Sequence, residues 1–138
     1  MKITPALPWL MNLKCLRVSI DVSGAYFDFG AASVQLECPW RIMSEGRIAL
    51  GSVDHEQAFG LPKPVDAAVE ASNLLKGHPV ERAEVLPHSS DLVIDFGKGL
   101  RLEGWNSSSG YEGWSATGPN NQRIVALGGG DAGVWEQR

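Results

Sequence analysis

Asp54-His55-Glu56 sets three metal-ligating side-chain types in a row. A zinc site needs such donors to converge on one ion, with further His or Cys at ligand spacing. Neighbours in an extended chain point to opposite sides, so the triplet reads as a solvated loop. His78 and His88 flank one expected strand and do not meet. Nucleophilic catalysis needs a Cys or Ser beside a His that an acid orients. Cys15 and Cys38 lie inside apolar runs and read as buried thiols. Ser89 and Ser90 follow His88 in a stretch that a turn already explains. Gly128-Gly129-Gly130-Asp131 could cradle an anion, but neither a helix nor Lys-Ser/Thr follows it. Asp95-Phe96-Gly97 matches a kinase tripeptide without the kinase glycine loop, strand lysine or catalytic loop. No catalytic residue, metal or cofactor is therefore expected, and the protein is read as a non-enzyme.

Recognition chemistry is better represented. Trp105, Tyr111 and Trp114 bracket a polar Ser/Gly loop, with Glu112 among them. Tyrosine and tryptophan give interfaces large contact area with a polar handle. Strand alternation turns Trp114 toward the core. The candidate partner contacts are Glu45, Glu103, Trp105, Tyr111 and Glu112, an acidic and aromatic set.

The elements that must position these residues follow from pattern and composition. The 138 residues, 43% hydrophobic and 20% charged, suit one globular domain over 1–138. A net charge of −4 disfavours nucleic acid as a partner and suits a basic protein. The N-terminal segment has no signal-peptide character, and no run of about 20 apolar residues spans a membrane. A cytoplasmic protein is expected. Pro5 and Pro8 make the start an irregular arm, from which Trp9 and Leu10 can dock on the core.

Period-two alternation predicts strands over 13–20, 25–29 and 34–38, and a hairpin at Ser44-Glu45-Gly46 returning through 47–50. One helix is expected over about 64–76. Pro64 sits in its first turn, Val65, Ala68, Val69, Ser72 and Leu75 form one face, and Gly77 lies at its C-terminal cap. Strands follow over 80–86, 92–96, 100–105, 111–116 and 123–127, then a flexible triglycine and a last short strand at Val134-Trp135.

A repeat links the two halves, about 13–50 and 80–127. Phe27-Asp28-Phe29-Gly30 matches Ile94-Asp95-Phe96-Gly97, Val34-Gln35-Leu36-Glu37 matches Leu100-Arg101-Leu102-Glu103, and each runs into a tryptophan, Trp40 or Trp105. The expected fold is α+β: two related antiparallel hairpin segments forming one continuous sheet or a partly closed barrel, with the helix packed across it.

Glu37-Cys38-Pro39-Trp40-Arg41, the Asp95-Phe96-Gly97 hairpin, Tyr111-Glu112-Gly113-Trp114 and the Gly-rich turn before Val134-Trp135 resemble a family of small uncharacterised bacterial domains. Such families resemble the accessory and immunity proteins encoded beside bacterial toxins. The resemblance implies a non-catalytic protein that binds and blocks a toxin domain, and it transfers no site residues. Two other readings stand beside it: a small-molecule-binding domain with a ligand in the barrel mouth, and an oligomerisation domain whose strand edges pair between copies.

Overall fold

Alternating apolar residues, cut by glycine, proline and polar turns, become short strands in the computed structural model, which describes residues 7–135. The first half forms β1 (Arg17–Asp21), β2 (Gly24–Asp28), β3 (Ser33–Leu36), β4 (Trp40–Ser44) and β5 (Arg47–Gly51). Helix α1 (Ala67–Leu75) follows. The second half forms β6 (Arg82–Val85), β7 (Leu92–Asp95), β8 (Arg101–Gly104), β9 (Trp114–Thr117), β10 (Arg123–Ala126) and β11 (Ala132–Trp135). The fold is α+β and mostly antiparallel sheet, as the alternation indicates.

The strands do not make one sheet, nor do they close into a barrel. They form two antiparallel sheets, ordered β1-β2-β3-β9-β10-β11 and β5-β4-β8-β7-β6. Each half lays down a three-stranded meander in one sheet and then crosses to the other. Thus β3 pairs with β9, and β8 pairs with β4. The halves have exchanged strands. The crossing after β3 is Glu37-Cys38-Pro39, where Pro39 has no N–H to extend a ladder. With no barrel formed, a ligand in a barrel mouth loses its structural basis.

The two halves lay down matching ladders, in a register that differs from the sequence match above. Asp28 faces Arg17 across its ladder as Asp95 faces Arg82. The Asp28 carboxylate accepts the Gly30 N–H at 2.8 Å, and Asp95 accepts that of Gly97 at 2.8 Å. Both glycines sit near φ +80°, a left-handed turn position that costs glycine little. Phe27 pairs with Val34, and Ile94 with Leu102, so Val34 corresponds to Leu102 rather than to Leu100. Trp40 corresponds to Trp114 rather than to Trp105. Each of these two indoles opens the strand that has crossed, facing the last residue of the other half's meander, Gly104 or Leu36.

Inward residues of both sheets share one core, in which Phe27, Val34, Leu36, Trp40, Ile42, Leu92, Ile94, Leu102 and Trp114 are buried. Phe27 meets Trp40 edge-on across the sheets, with centroids 5.5 Å apart. The repeat phenylalanines Phe29 and Phe96 stack at 6.4 Å. Helix α1 covers the side bordered by β1 and β5. Its N-cap is Asp66, whose carboxylate accepts the Ala68 and Val69 N–H groups, so Pro64 lies outside the helix. Ala67, Ala71 and Leu75 form the buried stripe, one residue round from the expected face, and Val69 is exposed. Ser72 beside that stripe accepts the Val18 N–H of edge strand β1 at 3.2 Å. The N-terminal turn Pro8–Leu10 packs on β6 with Leu7 and Leu10 buried, so this arm is docked; Pro5 lies outside the described residues. No described helix is long and apolar enough to cross a membrane.

Candidate functional site

Two crossings carry the chain from sheet to sheet, and they run beside each other. The crossing after β3 takes three residues, 37–39, whereas the crossing after β8 takes nine, 105–113. The longer one hugs the shorter at both ends. Glu37 N–H donates to the Gly113 carbonyl and Trp105 N–H to the Pro39 carbonyl, each at 2.9 Å. Its extra residues make an excursion carrying Ser107, Ser108 and Tyr111.

That excursion is pinned. Ser108 Oγ accepts the Gly110 and Tyr111 N–H groups at 3.1 and 2.9 Å, and its carbonyl accepts the Gly129 N–H. The Asn106 amide donates to the carbonyls of Ser89 and Leu127, both at 2.9 Å, and its backbone N–H donates to Asp91. Asn106 Oδ1 is buried against Gly113 and has no hydrogen-bond partner. The triglycine, expected to be flexible, is packed: Gly128 lies against the Gly110 backbone and Gly130 against the His88 carbonyl, where a Cβ would collide. Ser90 hydroxyl donates to the Gly130 carbonyl, and the Ser90 carbonyl accepts Trp114 Nε1–H, each at 2.7 Å.

Between the crossings lies an open cleft of about 370 Å³ lined by Glu37, Cys38, Pro39, Ser107, Ser108, Tyr111, Glu112 and Gly113. Tyr111 is 83% exposed, and Glu37 and Glu112 are exposed. Two carboxylates and a phenol on a rigid frame suit a cationic side chain, which the carboxylates attract and the ring face stabilises further. Cys38 is buried at the cleft wall, and burial pushes its thiol up to about 11; burial does the same to Cys15. Thiols raised this way carry far less thiolate at neutral pH than exposed cysteines. Both should therefore react with a disulfide reagent at pH 8 at least tenfold more slowly in the folded than in the urea-unfolded protein. Fast native labelling of Cys38 would show that the cleft wall opens.

The five candidate contacts are not one site. Tyr111 and Glu112 belong to the cleft. Trp105 is half exposed on the outer side of the five-stranded sheet, with the Arg41 guanidinium 4.7 Å above its ring. Glu103 is not a free acid: its side chain is 12% exposed and paired with Arg41 at 2.7 Å and Arg101 at 2.9 Å. Glu45 occupies the tip of the β4–β5 turn at φ 53°, beside Gly99. There a second open cleft of about 390 Å³ is lined by Met43, Gly46, Glu81, Asp95, Lys98 and Arg101 among others. Sequence reasoning missed Glu37, Pro39, Ser107 and Ser108 as neighbours of Tyr111. The available signal was the Glu37–Arg41 motif, whose proline marks a break between strands.

The Asp54-His55-Glu56 triplet turns out to be more than a solvated loop. Asp54 accepts the Gly51 N–H at 2.9 Å, and His55 Nδ1 accepts the Ala67 N–H at the start of α1 at 3.1 Å. These side chains hold the connection into the helix. Among the described residues, no three His, Cys, Asp or Glu side chains converge as a metal-ligand set.

Residues 6–136 match the model of a family of unknown function (DUF6188), and the chain belongs to that family. No curated protein and no solved structure matches it.

Proposed function

We propose that this member of a family of unknown function is a non-catalytic protein-binding module whose crossover cleft receives a basic side chain of its partner. The observation that carries the reading is the pinned excursion whose Tyr111 shares one cleft with Glu37 and Glu112, all three exposed. A recognition loop held rigid before binding loses little entropy on docking. Exposed carboxylates at its rim speed encounter with a basic surface. The finer reading is an immunity-type inhibitor that covers the active site of a basic bacterial toxin domain. What supports it is the small acidic chain, with net charge −4, and an exposed acidic and aromatic cleft suited to a basic partner.

A native pull-down from the source lysate, with mass spectrometry, tests the reading. A stoichiometric basic partner is expected. The double reversal Glu37→Lys with Glu112→Lys should weaken its binding at least tenfold, and added salt should weaken the wild-type complex. Co-expression should relieve the partner's toxicity if the finer reading holds. A partner whose affinity ignores the double reversal would remove the cleft from the interface.

A further inference from the structure

Four strands border the two sheets, and three of them are protected. β1 carries Arg17 and Asp21 and is flanked by α1. β5 begins at Arg47, and its pairing with β4 slips at a bulge between Ile42 and Met43. β6 carries Arg82 and Glu84, lies between Pro79 and Pro87, and is packed by the N-terminal turn. Charges, bulges, prolines and covering segments are the devices that keep edges from pairing with other chains. Among the described residues, β11 has none of them within its four positions. It reads Ala132-Gly133-Val134-Trp135, pairs with β10 without a bulge, and has no other sheet neighbour among the described residues. It is the sixth strand of a sheet that faces one of five, and Val134 and Trp135 are 50% and 53% exposed.

The ladder shows which backbone groups of β11 remain available. On one side of β10 the Gly118 N–H bonds the Gln122 carbonyl, and on the other the Leu127 N–H bonds the Asp131 carbonyl. In an antiparallel ladder such bonded positions recur every second residue. Gly133 and Trp135 therefore bond to β10, at Val125 and Arg123, while Ala132 and Val134 turn their N–H and C=O groups outward from the sheet.

We propose that β11 pairs antiparallel with β11 of a second copy, about a two-fold axis through Gly133. In this register each outward residue finds an outward partner. Ala132 lies opposite Val134 of the second copy, and the reverse holds, so each small side chain on the core-facing side meets a large one. On the other face the two Gly133 residues meet on the axis. Trp135 folds back over Gly133 so closely that a Cβ there would collide with the indole. Two indoles thus converge over the axis, covering each other. The four strand residues carry no charge, and in this register the nearest one, Asp131, lies opposite Trp135 of the second copy rather than opposite another acid. The product is one continuous twelve-stranded sheet, an isologous arrangement of the commonest oligomer symmetry.

Sedimentation velocity of the whole protein across a concentration series tests this, with Val134→Pro and Val134→Lys alongside. The Val134 N–H is not used by β10, so proline removes the outward donor at an edge position that tolerates it. Lysine keeps the backbone and adds a repelling charge. The wild type should shift from monomer to dimer with rising concentration. Both variants should stay monomeric or dimerise at least tenfold more weakly, with wild-type melting temperature at low concentration. A wild type that stays monomeric at its highest soluble concentration would overturn the proposal. So would a folded Val134→Lys protein that dimerises as strongly as wild type, and this variant decides the matter if the proline variant fails to fold.

Discussion

Replacing Trp114 by alanine is expected to cost about 3–5 kcal/mol of folding stability, as removal of a large buried aromatic does. Few sites in this chain should cost more. The indole is 1% exposed and opens β9, the strand that delivers the second half into the first half's sheet. Its Nε1–H also satisfies the Ser90 carbonyl at 2.7 Å, and Ser90 in turn ties down Gly130. Urea denaturation would show the midpoint falling by a large share, since the whole stability of a domain of this size is about 5–15 kcal/mol. Trp114→Phe separates the two contributions. It keeps most of the ring and leaves a buried carbonyl without its donor, at about 1–3 kcal/mol. Losses below about 1 kcal/mol in both variants would contradict the packing described.

Cutting the chain between Gly60 and Leu61 is expected to give two fragments that do not fold alone and do fold together. The cut falls in a loop whose residues 56–64 are all exposed. The loop's neck is closed by hydrogen bonds from Glu56 to Val65 and from Val65 to Gln57, both at 2.8 Å. The first fragment keeps β1 to β5, but these lie in two different sheets and lack β9 and β8, the neighbours of β3 and β4. The second fragment is in the same position. Each alone would leave the strand beside its crossing without a ladder partner, β3 and β4 in the first fragment and β8 and β9 in the second, and pieces of two or three short strands are marginal in water. Circular dichroism and amide proton dispersion should show each fragment unfolded and an equimolar mixture recovering the native spectrum. A cooperative melt from either fragment by itself would mean that the halves are self-sufficient lobes, contrary to the exchanged pairing.

That exchange was beyond the reach of pattern reading. Alternation in Val34-Gln35-Leu36 and Leu100-Arg101-Leu102 identifies strands and their inward residues, but its period is two. A match displaced by two residues puts the same side chains inward, so equating Val34 with Leu100 satisfied the pattern as well as the true partner Leu102 does. Trp105 stood in for Trp114 because the nine-residue crossing inserted an extra aromatic where the first half has only Glu37-Cys38-Pro39. The helix face was displaced by one residue for a related reason. Val65 and Val69 are the more apolar choice, but the close approach of α1 to the strands favours Ala67 and Ala71 on the buried stripe. The candidate contacts dispersed because exposure of a charge says nothing about its neighbours. Glu103 looked free in the chain and is enclosed by Arg41 and Arg101, which arrive from a facing strand and from two residues earlier on its own.

By itself the chain of residues determined the strands, the turns at Asp28 and Asp95, the helix between the halves and the burial of Trp114. These follow from local rules: period-two alternation, carboxylates that accept N–H groups two residues on, glycine at left-handed positions, and caps. Only the tertiary structure decided that there are two sheets with exchanged strands, that the two crossings form a cleft with Glu37 and Tyr111 together, and that β11 ends its sheet among the described strands. The physical reason is common to all three. A strand's local pattern specifies which face is buried, whereas its neighbours are chosen by long-range backbone pairing and by packing across the core, and neither leaves a mark within the strand's own few residues.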